Sequence, residues 1–327
     1  MRMNSAGLAV VLVLDLLCES QPELAQNYEV PRLPGAELLE RSLLPDGIVL
    51  ATENTVTMLP ESLSEAFLSI SSDGNIIGAV RTPRHIISTY SIKDGKLTDY
   101  PEVPGYMGGF WGTSEISPDG KKMAYVTRDA RADFSGVRLS LRILDFRTQG
   151  TTVAANPPGE VSEISWSPDG QRIAFDINVP SYPGHSKPSE IRTINIVDLK
   201  TSAVSEIGVG GTPSWSPSGE WIAYVGYVQV GNTDSHPWNS YAGRHYSDDQ
   251  FELRIMSPEG ASSRRLMKVH SSPNLKPLWS PDSQTLLLQV MNPDTGTVLV
   301  YMVDTVTGKA TKEFKNAGPV YAWIAAN

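Results

Sequence analysis

The stretch "SWSPDGQRIAFD", residues 165–176, holds a turn and the two strand ends that it joins. Pro168 presets its own φ, Asp169 tolerates the bridge region of backbone space, and Gly170 can take the positive φ that closes a tight turn. Trp166 before the turn and Ile173-Ala174-Phe175 after it are β-prone, so the spacing predicts two short antiparallel strands meeting here.

The phrase returns along the chain. Ser71-Ser72-Asp73-Gly74 precedes Ile77-Gly78-Ala79, Ser117-Pro118-Asp119-Gly120 precedes Met123-Ala124-Tyr125, Ser216-Pro217-Ser218-Gly219 precedes Ile222-Ala223-Tyr224, and Ser280-Pro281-Asp282-Ser283 precedes Leu286-Leu287-Leu288. From serine to serine the steps are 46, 50, 49 and 64 residues. A period near this length, with four strands' worth of alternating sequence per unit, predicts propeller blades. Leu44-Pro45-Asp46-Gly47 before Leu50-Ala51-Thr52 fits the same frame, and Val320-Tyr321-Ala322-Trp323 reads like the strand that precedes each turn. These half-units complement each other. The expected fold is all-β: a six-bladed propeller of four-stranded antiparallel blades, closed by N- and C-terminal strands that share one blade and leave no open sheet edge.

The Ser-Pro-Asp-Gly phrase with its apolar-Ala-aromatic sequel resembles the WD-like repeat of TolB-type six-bladed propellers, which also occurs in the propeller part of dipeptidyl peptidase IV-type enzymes. The resemblance covers residues 44–327 and implies the six-bladed ring and a TolB-like binding role. The tryptophan-aspartate mark of ordinary WD repeats is absent, and glycine-histidine does not recur with the repeat.

The chain has 327 residues and a formal charge of −9, which argues against nucleic acid or an anionic membrane as partner. Residues 1–25 differ from the rest: Arg2 precedes an apolar run from Ala6 to Leu17, and Ala25 offers a small residue for a signal peptidase. The expected organisation is a leader at 1–25, an N-terminal extension at 26–43 and the propeller at 44–327, giving a periplasmic or secreted monomer. Asp15 interrupts the apolar run, and a misread start codon ahead of a cytoplasmic chain is the alternative. The run is too short to span a membrane. Cys18 is the only cysteine, and Leu16-Leu17 ahead of it depart from the small residue that lipoprotein processing requires. Cleavage after Ala25 leaves no cysteine, so stability must come from the β core rather than from disulfides.

In an up-and-down blade the connections alternate between two ends, which sorts the chain without a structure. The Ser-Pro-Asp-Gly turns share one end with short links such as Lys93–Lys96, Asp198–Thr201 and Asp304–Gly308. The opposite end collects the long connections and every histidine: His85, His185, His236, His245 and His270. Phe110 and Trp111 fall there as well. The longest connection adds about 15 residues to its unit and contains "TDSHPWNSYAGRHYSDDQ", residues 233–250. Trp238, Tyr241, Arg244 and Tyr246 within it have the composition of recognition surfaces, amphipathic rings with a planar cation.

These residues predict a non-catalytic binding module without a cofactor, which presents Phe110, Trp111, Trp238, Tyr241, Arg244 and Tyr246 to a protein, peptide or glycan. No Gly-x-Ser-x-Gly elbow, His-Glu-x-x-His or Walker motif is present. The alternative is a metal-assisted lyase or hydrolase acting on a polysaccharide, with His85, His185, His236 and His245 holding manganese or zinc. Oligogalacturonate lyases resemble that arrangement, with related repeats and a histidine-rich metal site. The repeated aspartates Asp46, Asp73, Asp119, Asp169 and Asp282 are expected to cap turn amides rather than to act as acid/base pairs.

Overall fold

The computed structural model describes residues 8–14, 47–51, 56–63, 66–81, 84–101, 114–128, 139–179, 191–227, 251–269, 276–291, 298–315 and 320–325. Apart from one 3-10 turn at Glu61–Leu63, these form β-strands and their hairpins. β1 (Leu8–Leu14), β2 (Gly47–Ala51) and β3 (Val56–Met58) come first. Blade I is β4 (Ala66–Ile70), β5 (Ile76–Arg81), β6 (Ile86–Ser91) and β7 (Lys96–Asp99). Blade II is β8 (Ser114–Ile116), β9 (Lys122–Arg128), β10 (Leu139–Asp145) and β11 (Thr151–Ala155). Blade III is β12 (Ile164–Trp166), β13 (Arg172–Val179), β14 (Ile191–Asp198) and β15 (Val204–Val209). Blade IV is β16 (Gly211–Trp215), β17 (Ile222–Tyr227), β18 (Phe251–Met256) and β19 (Ser263–Val269). Blade V is β20 (Leu278–Trp279), β21 (Thr285–Met291), β22 (Val298–Asp304) and β23 (Ala310–Lys315), and β24 (Val320–Ala325) ends the series.

Each of the five blades is a sheet of four consecutive antiparallel strands. A further four-stranded sheet has the order β24-β1-β2-β3. The repeat predicts six units; five are built in the consecutive way, and the remaining sheet draws strands from distant parts of the chain. Within it β24 lies against β1, not against β2, the strand that follows Leu44-Pro45-Asp46-Gly47.

The repeated phrase forms the turn between the first and second strand of every blade, with positive φ at Gly74, Gly120, Gly170, Gly219 and Ser283. In blade III, Ser167 Oγ donates to Asp169 Oδ1 at 2.5 Å, Gln171 N donates to the same oxygen at 3.0 Å, and Arg172 N donates to Ser167 Oγ at 2.9 Å. Asp73, Asp119 and Asp282 repeat the pattern, so these aspartates cap turn amides as their spacing predicts. The Ser167 hydroxyl is the largest cause that holds the Asp169 carboxyl below its ordinary range.

The link between the third and fourth strand carries a second motif. Asp304 Oδ1 accepts from Val306 N at 3.1 Å, Thr307 N at 2.7 Å and Thr307 Oγ1 at 2.8 Å; Asp145 and Asp198 do the same with Thr148 and Thr201. The fourth residue after each aspartate turns left-handed: Gln149 at φ 55°, Ser202 at 57° and Gly308 at 70°. Only the last is glycine, the residue that takes this conformation without steric cost. Gln149→Gly and Ser202→Gly are each expected to raise the unfolding free energy by up to about 1 kcal/mol, less the extra entropy of the unfolded chain. Urea denaturation of the two variants checks this.

Hydrophobic layers lie between successive blades rather than in one central mass. Val80 and Ile87 meet Ile116, Met123 and Tyr125 between blades I and II. Leu141 and Val126 meet Trp166 and Phe175 between II and III; Ala174 and Ile194 meet Trp215 and Tyr224 between III and IV; Leu253 and Val225 meet Trp279 and Leu288 between IV and V. Burial of the alternating apolar positions is what drives each blade onto its neighbour.

Candidate functional site

The innermost strands carry a latch at one repeat position, two residues before the turn serine. Ser69 Oγ accepts from Ile116 N of the next blade at 2.8 Å, and Ser165 Oγ accepts from Trp215 N at 2.9 Å. At this position blade II has Glu115 instead, whose Oε2 accepts from Trp166 N at 3.0 Å. The indoles add to the series: Trp166 Nε1 donates to Glu115 O at 3.0 Å, and Trp279 Nε1 donates to Ser214 O at 2.9 Å.

Glutamate is longer than serine, and its second oxygen reaches further. Glu115 Oε1 accepts from Lys276 Nζ at 2.6 Å, although Lys276 stands just ahead of β20, with blades III and IV between them in the chain. Lys276 also donates to Ile164 O at 3.3 Å. The bond therefore ties blades II, III and V together at their inner edges. Both side chains are about four-fifths buried, at 19% and 20% exposure. Burial alone would depress the ammonium of Lys276, but the carboxylates of Glu115 and Glu163 and the bond to Glu115 outweigh it and hold the group above its ordinary range.

Glu163, just ahead of β12, is buried beside this pair, and burial pushes its carboxyl well above the usual range; the charges of Asp176 and Glu115 add to the rise, while Lys276 and Arg192 oppose it. A carboxyl raised on folding contributes stability that is complete below its unfolded value, near 4.5, and is lost as pH rises through the folded value. Glu163→Gln removes that loss. Its stability relative to the parent is expected to grow from pH 5 to pH 8, read from melting curves at the two pH values.

A second knot lies at the same end of blades III and IV. Asp176, fully buried in β13, accepts from Ser162 N at 3.0 Å, Glu163 N at 2.9 Å, Thr212 N at 3.0 Å, Ser162 Oγ at 2.8 Å and Arg192 at 3.1 Å. Arg192 also donates to Ser162 Oγ. Thr212 takes φ 52°, an outlier for a β-branched residue, and the bond from its amide to Asp176 holds it there. Ser114 Oγ, Asn178 Oδ1 and Thr212 Oγ1 are buried without a hydrogen-bond partner among the described residues. Ser114 and Asn178 stand at strand ends that carry long connections, and Thr212 follows the one-residue link from β15 to β16. At the base of the 228–250 connection, Glu252 Oε2 accepts from Arg254 at 2.6 Å and Oε1 from Arg265 at 2.9 Å. Burial would raise its carboxyl, and the two guanidinium bonds more than reverse that.

Chemically, both oxygens of Glu115, Asp176 and Glu252 are engaged by protein donors, so these acids act as struts within and between the blades. Of the residues singled out by sequence, His85 is described: it is half-buried at φ 54° in the link between β5 and β6. Phe110, Trp111, His185, His236, Trp238, Tyr241, Arg244, His245 and Tyr246 lie outside the described residues, as do His270 and Asp46. Among the described residues no group of three or more His, Cys, Asp or Glu is arranged to hold a metal ion, and no helix is long and apolar enough to cross a membrane. The axial residues Glu115, Glu163, Asp176, Arg192 and Lys276 escaped the sequence reading. One signal was present: glutamate at Glu115 where Ser69, Ser165 and Ser214 occupy the equivalent positions.

No family model matches the chain. It is 29% identical over 134 residues to an uncharacterized peptidase, YuxL, of Bacillus subtilis, covering 40% of this chain and 17% of that protein. It is 29% identical over 219 residues to the Tol-Pal system protein TolB of Alcanivorax borkumensis, covering 62% of this chain and 46% of that one. The chain thus spans less than half the length of these curated relatives. Among solved structures, TolB from Acinetobacter baumannii superposes with a TM-score of 0.61 at 16% identity, over 99% of this chain and 67% of that one. An oligogalacturonate lyase in complex with manganese gives 0.57 at 15% identity, over 83% and 70%. These likenesses fix the fold as a TolB-like β-propeller of four-stranded antiparallel blades.

Proposed function

We propose that the chain is an exported, non-catalytic binding ring in which β24, β2 and β3 belong to the sixth blade, and that it displays its long connections to a protein, peptide or glycan. Phe110, Trp111, Trp238, Tyr241, Arg244 and Tyr246 are the anchors. Closure of the ring is supported by β24, which touches both β20 of blade V and β4 of blade I. Export to the periplasm or beyond is supported by the leader-like composition of residues 1–25 and by the likeness to a Tol-Pal system protein.

The observation that carries the reading is the asymmetry of the two ends. At the turn end, the links between strands are short and bonded to themselves and to one another: Ile92 N donates to Asn75 O, Phe146 N to Lys121 O, Leu199 N to Gln171 O and Thr305 N to Gln284 O, each at 2.9 to 3.0 Å. The described residues that flank the long connections, at 101 and 114, 128 and 139, 179 and 191, 227 and 251, and 269 and 276, stand at the opposite end from these turns. A floor of latched blades lets such connections bind with little of the ordering cost that a loose scaffold would incur.

A metal-assisted lyase or hydrolase is the second reading, favoured by four histidines that the chain order brings to that end: His85, His185, His236 and His245. Elemental analysis of the purified protein after dialysis against metal-free buffer separates the two, with a His185→Ala, His245→Ala variant alongside. The binding ring predicts no bound metal in either sample. Near-stoichiometric manganese, zinc or iron that disappears in the variant overturns it in favour of the enzyme.

A further inference from the structure

β1 occupies a slot. It pairs with β24 from Leu8↔Ala325 to Leu12↔Val320, with one shift of register between Val11 and Leu12, and with β2 from Val10↔Ala51 to Leu14↔Gly47. Because β1 is antiparallel to both neighbours, β24 and β2 run parallel to each other, one strand apart. Blades I to V contain antiparallel neighbours throughout, so β24 and β2 cannot close on each other without adopting a pairing that these blades do not use.

The strand in the slot, LAVVLVL, is also the apolar run of the leader-like segment. A peptidase that cuts after Ala25 removes it and exposes two strand edges that face each other, each with unpaired backbone donors and acceptors. We propose that in the exported protein this slot between β24 and β2 binds an extended, uncharged segment of a second polypeptide, in the register that β1 shows. Backbone bonds to two edges supply the affinity, as in other cases of strand addition. The occupant has the chemistry of β1: five to seven residues, apolar or β-branched, without proline or charge. The inference rests on the leader reading and concerns a surface separate from the long connections.

Two measurements test it and keep the leader and the slot apart. The intact mass of the exported protein, expressed with its own N-terminus, is expected to correspond to residues 26–327; a mass that retains residues 1–25 overturns the proposal, since the slot is then filled by the chain itself. Residues 26–327 contain no cysteine, because Cys18 is the only one, so disulfide trapping has a clean background. A peptide of residues 7–15 carrying Val10→Cys should trap Ala51→Cys, and one carrying Val11→Cys should trap Leu50→Cys, each about tenfold faster than the crossed pairs. If residues 26–327 need the peptide in order to refold, the trap is run on the refolded mixture with the same ranking expected. Absence of trapping, or trapping without preference for register, overturns the slot whatever the mass shows.

Discussion

Asp176→Ala lowers the unfolding free energy by about 3–5 kcal/mol, the cost of removing one partner from a buried ion pair. The carboxylate is wholly buried and is the common acceptor for Ser162, Glu163, Arg192 and Thr212, which belong to two strands of two blades and to the link between blades II and III. Its loss leaves buried backbone amides without an acceptor and a guanidinium without its counter-charge. Thr212 also loses the bond that holds its left-handed backbone, so the start of β16 should loosen first. Asp176→Asn, which keeps an acceptor but not the charge, should cost less than the alanine variant. Urea denaturation gives the totals, and amide exchange at Thr212 reports the local effect; equal costs for the two variants would contradict a role for the amide bonds that the side chain accepts.

Glu115→Ala is expected to cost about 3 kcal/mol, because it strands the Lys276 ammonium in a largely buried place and removes the acceptor of Trp166 N. The repeat itself supplies the compensating variant. Serine serves as the latch in blades I and III, so Glu115→Ser should restore the bond to Trp166 N, and Lys276→Met should remove the orphaned charge. The double variant Glu115→Ser, Lys276→Met is expected to lie within about 1 kcal/mol of the parent, since a well-packed apolar replacement of a buried pair is often neutral. A coupling energy of about 1.5–3 kcal/mol between the two sites follows. Additive losses would mean that the pair does not tie the blades.

The turns were legible because their causes are local. Pro168, Asp169 and Gly170 encode a conformation within a few residues; the same residues at Ser117–Gly120, and a serine in place of the aspartate at Ser216–Gly219, give the same positive φ at the glycine. The links at Asp198 and Asp304 were readable as short connections, though not, together with Asp145, as a repeated Asp-x-x-Thr cap. The pairing of Glu115 with Lys276 was hidden, since 161 residues separate them and nothing local marks the lysine. The place of Leu8–Leu14 was hidden for a different reason: seven apolar residues suit a buried strand and an export leader equally, and composition does not distinguish them. The aromatic and histidine candidates came from counting residues in long connections, which gives the end of the blades they stand on and no geometry.

The most direct test of the binding reading asks which end of the blades a ligand needs. The purified protein would be screened against a random peptide library and a glycan array, and the strongest ligand titrated against two triple variants. Trp238→Ala, Tyr241→Ala, Arg244→Ala alters the long connections; Lys93→Ala, Lys200→Ala, Val306→Ala alters exposed residues of the turn end. The account predicts that the first triple weakens binding about 30-fold or more, as loss of an anchor cluster does, and that the second stays within about twofold. A ligand that ignores the first triple and loses affinity with the second would contradict it, as would the failure of any peptide or glycan to bind.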